Sequence, residues 1–149
     1  SDGYKRQENL PSRVVSAQPA IKTKADLAGK VVGAQEVSSA VDAVKKEDAV
    51  LKSFKEFKTF GDNVTALMDL STGRIEAVVV DEVVGRYYVA KKPGDYAVLN
   101  DNFGTEDYGV GLRKDDTELH GKIDKALADM KADGAAAKIA EQWFGKNII

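Results

Sequence analysis

The chain contains no cysteine, which excludes disulfides, thiolate nucleophiles and thiolate metal centres. That absence does not identify a compartment. There is a single histidine, His120, on the polar side of a helix pattern, so neither a histidine pair for zinc nor a histidine-based triad can be assembled. Charge of one sign is not in excess either. The 22 basic and 24 acidic residues leave a net charge of −2, interspersed along the chain, which argues against a nucleic-acid binder. No apolar run is long enough to cross a bilayer, and no charged-then-apolar leader opens the chain. An exported protein whose leader had been removed would read the same way. Gly109-Val110-Gly111 lacks the third glycine and the following helix of a dinucleotide loop, and no cofactor is implied.

What is present is enough for one core. With 149 residues and 43% hydrophobic content, one domain is the simplest expectation. Residues 1–20 read as irregular, with Pro11 and Pro19 as breakers and only Val14-Val15 suggesting a strand. From Ile21 onward the pattern is regular. A short turn through Ala25-Asp26-Leu27 ends at Gly29 and leads into a strand over 30–35. Ser38 and Ser39 offer capping oxygens to a helix carrying Ala40, Val41 and Val44. Phe54, Phe57 and Phe60 favour a strand before Gly61. Asp62 caps a helix with Val64, Leu67 and Met68 on one face, and Gly73 ends it.

Then comes the most informative stretch, Gly73 to Glu82. Its β-branched run Val78-Val79-Val80 calls for burial on both faces, as in a parallel sheet covered by helices. Ligands of open α/β sheets bind beyond the carboxyl ends of the strands, so Asp81 is placed to receive a cationic group. A helix from Glu82 stops before Pro93, strands follow over 96–99 and 108–113, and the tail is helical. Asp115 with Glu118 forms a capping box for the stripe Leu119, Ile123, Leu127, Met130. Gly134 separates it from a last helix with Ile139, Trp143 and Phe144. The strand–helix alternation predicts an α/β fold with a mostly parallel sheet in three layers, plus two C-terminal helices.

The order of these elements resembles a known family. Ile21-Lys22-Thr23-Lys24-Ala25-Asp26-Leu27-Ala28-Gly29-Lys30-Val31-Val32-Gly33 and Thr72-Gly73-Arg74-Ile75-Glu76-Ala77-Val78-Val79-Val80-Asp81-Glu82 are similar to signatures of bacterial extracellular solute-binding proteins of polar amino-acid ABC transporters. So are Tyr108-Gly109-Val110-Gly111-Leu112-Arg113, Lys131-Ala132-Asp133-Gly134 and Gln142-Trp143-Phe144-Gly145, in the same order. The resemblance implies a periplasmic-binding-protein type II lobe. Residues 1–20 would be the remnant of a first crossover, 21–104 the second lobe, and 105–149 the return crossover strand and C-terminal helices of the first lobe. Ser1-Asp2-Gly3-Tyr4 resembles the segment closing the early part of that first lobe, most of which is expected to precede Ser1. The family's carboxylate-clamping arginine belongs to that part; Arg6 and Arg13 lie outside any matching motif.

The resemblance also implies site residues. Asp81 matches the position whose carboxylate binds a ligand α-ammonium; the alternative is that it only caps the helix after it. Ser38 and Ser39 stand where the family presents helix N-terminal amides to the ligand carboxylate, with pure capping as the alternative. Valine at position 37 replaces the family's glycine, which removes easy access to positive φ. Gln35, ending its strand, is the last candidate. The implied function is capture of a free amino acid without chemistry, periplasmic or extracellular (membrane-anchored in Gram-positive relatives), for delivery to ABC-transporter membrane subunits. Two rivals stand beside it. One is a dehydratase-like enzyme, for which only Asp81 and Glu82 could serve as acid or base. The other is an interaction module with a vestigial site, able to form a homodimer through the C-terminal helices.

Overall fold

The computed structural model describes residues 8–149, with side chains described for 12–105 and 108–149. The resemblance at Ser1–Tyr4, and Arg6, lie outside the described residues. The chain divides into two compact units, one of Pro11–Thr105 and one containing Glu106–Ile149.

A five-stranded sheet is built from β1 (Glu8–Ser16), β2 (Val31–Gln35), β3 (Glu56–Phe60), β4 (Ala77–Asp81) and β5 (Ala97–Tyr108), in the spatial order β3-β2-β4-β1-β5, and all but the outer ends of β1 and β5 belongs to the first unit. Strands β2, β3 and β4 are parallel, and β1 lies antiparallel to β4 with Ser12 opposite Asp81 and Val15 opposite Val78. The helices are α1 (Ser39–Lys46), α2 (Asp48–Ser53), α3 (Asn63–Ser71) and α4 (Glu82–Lys91), with a 3-10 turn at Lys24–Leu27.

The pleat sends alternate side chains to two dry faces. On one, Val14 and Val79 meet Leu27, Val32, Ala40 and Val44 beneath α1. On the other, Val15, Val78 and Val80 meet Ala66, Leu67 and Leu70 of α3, with Val84, Tyr88 and Val89 of α4 packed against them. Each fully buried valine contributes about 1.5–3 kcal/mol of transfer free energy, so β4 is held from both sides. Gly85 lets α4 approach closely, because a Cβ there would lie 2.9 Å from Val80 Cγ1. Gly73, at φ +74°, makes the left-handed turn from α3 toward β4. The result is the expected three-layer α/β lobe.

Several local expectations are corrected. Residues 8–16 form a strand despite Pro11. The separate strands at 96–99 and 108–113 are replaced by the single twelve-residue β5; residues 109–113 are not in a strand. A short helix, α2, lies between α1 and β3, where no separate helix is expected from the sequence.

The second unit carries α5 (Thr117–Ala132) and α6 (Ala135–Phe144), which pack on each other. Asp116, not Asp115, caps α5 by accepting from Leu119 N at 3.1 Å. Gly134 sits in the left-handed region between the helices, as expected. Ala136 and Ala140 are buried, whereas Ile139 is 45% and Trp143 52% exposed.

Candidate functional site

Because β2 and β4 are adjacent and parallel, their carboxyl ends bring Gln35 and Asp81 to one edge of the sheet, and α1 starts there directly after β2. Asp81 is half-exposed at the N-cap position of α4, yet its side chain makes no capping bond to that helix. Instead, the Ser39 hydroxyl donates to Asp81 Oδ1 at 3.2 Å. The carboxylate therefore faces the start of α1.

Ser38 has a different job from its neighbour. Its hydroxyl accepts from Val41 N at 3.3 Å and donates to the Gln35 carbonyl at 2.7 Å, so it is the N-cap of α1. Ser39 is the exposed hydroxyl of the pair. The α1 N-terminus brings unpaired amides and a positive dipole end to this edge. The Gln35 side chain accepts from Asn63 Nδ2 at 2.8 Å, which ties it to the first residue of α3. Asn63 had no signal in sequence beyond following the cap Asp62. The Asp62 carboxylate accepts from Thr65 N at 2.7 Å, and that bond, with the Thr65 hydroxyl, holds its carboxyl below the usual carboxylate range.

Val37 adopts the positive φ that its replacement of glycine was expected to obstruct. It sits at φ +51°, fully exposed, between Gln35 and the serines. For a β-branched residue this is strained backbone, costing about 1–3 kcal/mol.

The neighbouring acid, Glu82, is turned the other way. It is 4% exposed and accepts from Arg86 Nε at 2.7 Å and from Arg13 Nη2 at 3.4 Å. Arg13, on β1, also donates from Nη1 to the Asn100 carbonyl of β5; its buried Nε lies 3.3 Å from Glu82 Oε1 without a hydrogen bond. Of this cluster the sequence signals only the helical spacing of Glu82 and Arg86. Arg13 comes from 69 residues away.

Other polar features are structural. His120 Nε2 is 2.9 Å from the Arg113 carbonyl. Among the described residues no group of side chains could hold a metal ion, and no helix is long and apolar enough to cross a membrane. An apolar cavity of about 310 Å³ within the second unit is lined by Tyr108, Val110, Leu127, Lys131, Ala136 and Ile149, none of them a candidate from the sequence.

An open α/β sheet with its acceptor and hydroxyl groups gathered at the carboxyl ends of parallel strands defines a class of domain that meets small ligands at that edge. Comparison with known proteins gives the particular family. Residues 8–146 match the model for bacterial extracellular solute-binding proteins, family 3, and the chain belongs to that family. It is 31% identical over 128 residues to the L-cystine-binding protein TcyJ of Escherichia coli K12, covering 86% of this chain and 47% of that protein. It is 32% identical over 146 residues to the lysine/arginine/ornithine-binding periplasmic protein of the same strain, covering 92% and 55%. Among solved structures, it matches a polar amino acid ABC uptake transporter substrate-binding protein from Streptococcus thermophilus with a TM-score of 0.75 and 28% identity. That match covers 99% of this chain and 57% of the other. An ancestral arginine-binding protein bound to glutamine matches with a TM-score of 0.64 and 37% identity, over 98% and 63%. The chain thus spans about half the length of the curated relatives it matches.

Proposed function

We propose that this chain supplies the half of an amino-acid-binding site that grips the ligand's backbone groups, for uptake through an ABC transporter. The observation that carries the reading is the Asp81 carboxylate, half-exposed at the end of β4 and 3.2 Å from Ser39. Asp81 receives the α-ammonium, a charge-assisted bond worth about 1.5–3 kcal/mol. The first-turn amides of α1, behind Ser38 and Ser39, receive a carboxylate oxygen. Gln35, steadied by Asn63, borders the ligand. Names of the relatives, which include cystine, basic amino acids and histidine, support the polar amino-acid class.

In this reading residues 21–104 are the second lobe, and 105–149 are a return crossover with first-lobe helices. The protein works outside the cytoplasmic membrane, as the periplasmic relatives do, with ABC-transporter membrane subunits as its partners. No turnover is expected, since Glu82 is committed to two arginines. Contacts on this face alone sum to a few kcal/mol, which corresponds to an affinity of about millimolar or weaker for the chain by itself, so high ligand concentrations are needed to see it. Calorimetry with each of the twenty amino acids tests this: heat from at least one, lost in Asp81→Ala, is expected. Silence from all twenty would overturn the reading.

A second reading, self-association through the tail, is favoured by the exposed Leu119, Ile139 and Trp143. Sedimentation would show a dimer that Trp143→Glu dissolves; a monomer at high concentration would remove it.

A further inference from the structure

Gln35 and Asp81 end adjacent parallel strands, and the pleat sends their side chains to opposite faces of the sheet. Val31 and Gly33 alternate with Gln35 on the α3 and α4 side. Val31 packs in that layer, and a Cβ at Gly33 would lie 2.8 Å from side-chain atoms of Ile75 and Phe60. Gln35 continues the alternation and meets Asn63, the first residue of α3. Val79 belongs instead to the layer beneath α1, where Asp81 meets Ser39. Because Gly33 stands opposite Val78, Gln35 stands level with Val80, one residue short of Asp81. A ligand held by its backbone groups on the α1 side therefore meets Gln35 and Asn63 through its side chain, which crosses the strand ends.

The two carboxamides are neutral, and their hydrogen bonding is incomplete. Asn63 Nδ2 donates to Gln35 Oε1 at 2.8 Å, and among the described residues neither side chain makes a further hydrogen bond. The Gln35 amino group and the Asn63 carbonyl are left over; both residues are half-buried, and neither group is sealed from solvent. Turning both amides round exchanges which residue supplies which group, and the pair still shows one donor and one acceptor. The acids next in sequence do not complete it: Asp62 accepts from Thr65, and Glu36 is exposed to solvent, where its charge is screened.

We infer that Asn63 is a specificity-determining residue: with Gln35 it forms a neutral donor–acceptor platform for the ligand side chain, which selects a carboxamide such as that of L-glutamine. The inference rests on the proposed function for the place of the ligand's backbone groups. A carboxamide brings one carbonyl and one amino group and satisfies both halves of the pair. An ammonium brings donors only and sets them against the Gln35 amino group; a carboxylate brings acceptors only and sets them against the Asn63 carbonyl. A methionine side chain, of similar length, satisfies neither. A site built to hydrogen-bond its ligand rejects analogues that strand its polar groups in this way.

The test is heteronuclear NMR titration, which reads millimolar affinities, with L-glutamine, L-methionine, L-lysine and L-alanine. Wild type is expected to bind L-glutamine at least about fivefold more tightly than L-methionine or L-lysine. In Asn63→Ala that preference should fall below about twofold, while L-alanine, whose side chain does not reach the pair, binds as before. Asn63→Asp places a carboxylate beside Gln35, and L-lysine should then bind more tightly than L-glutamine. A residue acting only through stability would weaken all four ligands alike and could not reverse their order. Should Asn63→Ala fail to fold, Asn63→Asp, which keeps the volume and suits a helix start, carries the comparison. An Asn63→Ala chain that keeps the glutamine preference overturns the inference. So does a wild type that binds L-glutamine no better than L-methionine or L-lysine, and in both cases binding of L-alanine leaves the proposed function standing. If none of the four ligands shifts any amide of the wild type, the proposed function fails and this inference with it.

Discussion

The two ends of the parallel strands use the same residue types for opposite purposes. At the amino ends of β2 and β4, Glu76 accepts from Val31 N at 2.7 Å and lies 3.7 Å from Lys30 Nζ, while its carbonyl accepts from the Ser16 hydroxyl at 2.9 Å. Nearby, Asp69 is held by Arg74 at 2.8 Å and Lys58 at 3.2 Å. These acids close the fold on itself. At the carboxyl ends, Asp81 is held by the fold but turned toward the α1 start, beside a strained, exposed Val37. The difference teaches that charge alone does not mark a site. What distinguishes the proposed site is a carboxylate whose neighbours position it without burying it.

That contrast can be broken by substitution. The largest effect is expected from Asp81→Ala, which should weaken amino-acid binding by about 1.5–3 kcal/mol in calorimetry while moving the thermal midpoint by no more than about 2 °C. Glu76→Ala should do the reverse. It should lower the unfolding free energy by about 1–2 kcal/mol in urea, because the Val31 amide loses its acceptor, and leave binding unchanged. Val37→Gly relieves positive-φ strain but adds chain entropy to the unfolded state, so a net gain of about 1 kcal/mol is expected in the same assay. The smallest effect is on pH dependence. Arg74, and then Lys58, hold the Asp69 carboxyl below the usual carboxylate range. Its contribution is therefore complete above about pH 4 and is lost as pH falls through the lowered value. Asp69→Asn should flatten the acid limb of a stability-against-pH curve, and an unchanged limb would count against the assignment.

Most of the sheet and its covering helices were legible because their signals are local. The apolar run of β4, the caps Ser38 and Asp62, and the turn glycines Gly73 and Gly134 each act within a few residues. The failures were long-range. Pro11 disguised β1, whose place beside β4 depends on a partner 69 residues away at Asp81. Gly104, at φ +101°, split β5 in the sequence although the strand runs through it. At the candidate site, Asp81 and the serines were visible as strand-end and cap residues. The separate duties of Ser38 and Ser39, and the Asn63 and Arg13 contacts, arise only when strands distant in sequence come together.

The insertion of β1 between β4 and β5 has a kinetic consequence. The first strand of the unit has both of its neighbours far downstream: Ser12 pairs with Asp81, and Arg13 reaches Asn100 across 87 residues. Loops of that size must close before the central gap is filled, so the β2–β3–β4 core can assemble early whereas the sheet is completed late. Of the strands in this sheet, it is made before the others and waits longest for its place. The open slot between β4 and β5 is where a refolding chain is most exposed to pairing with the wrong edge.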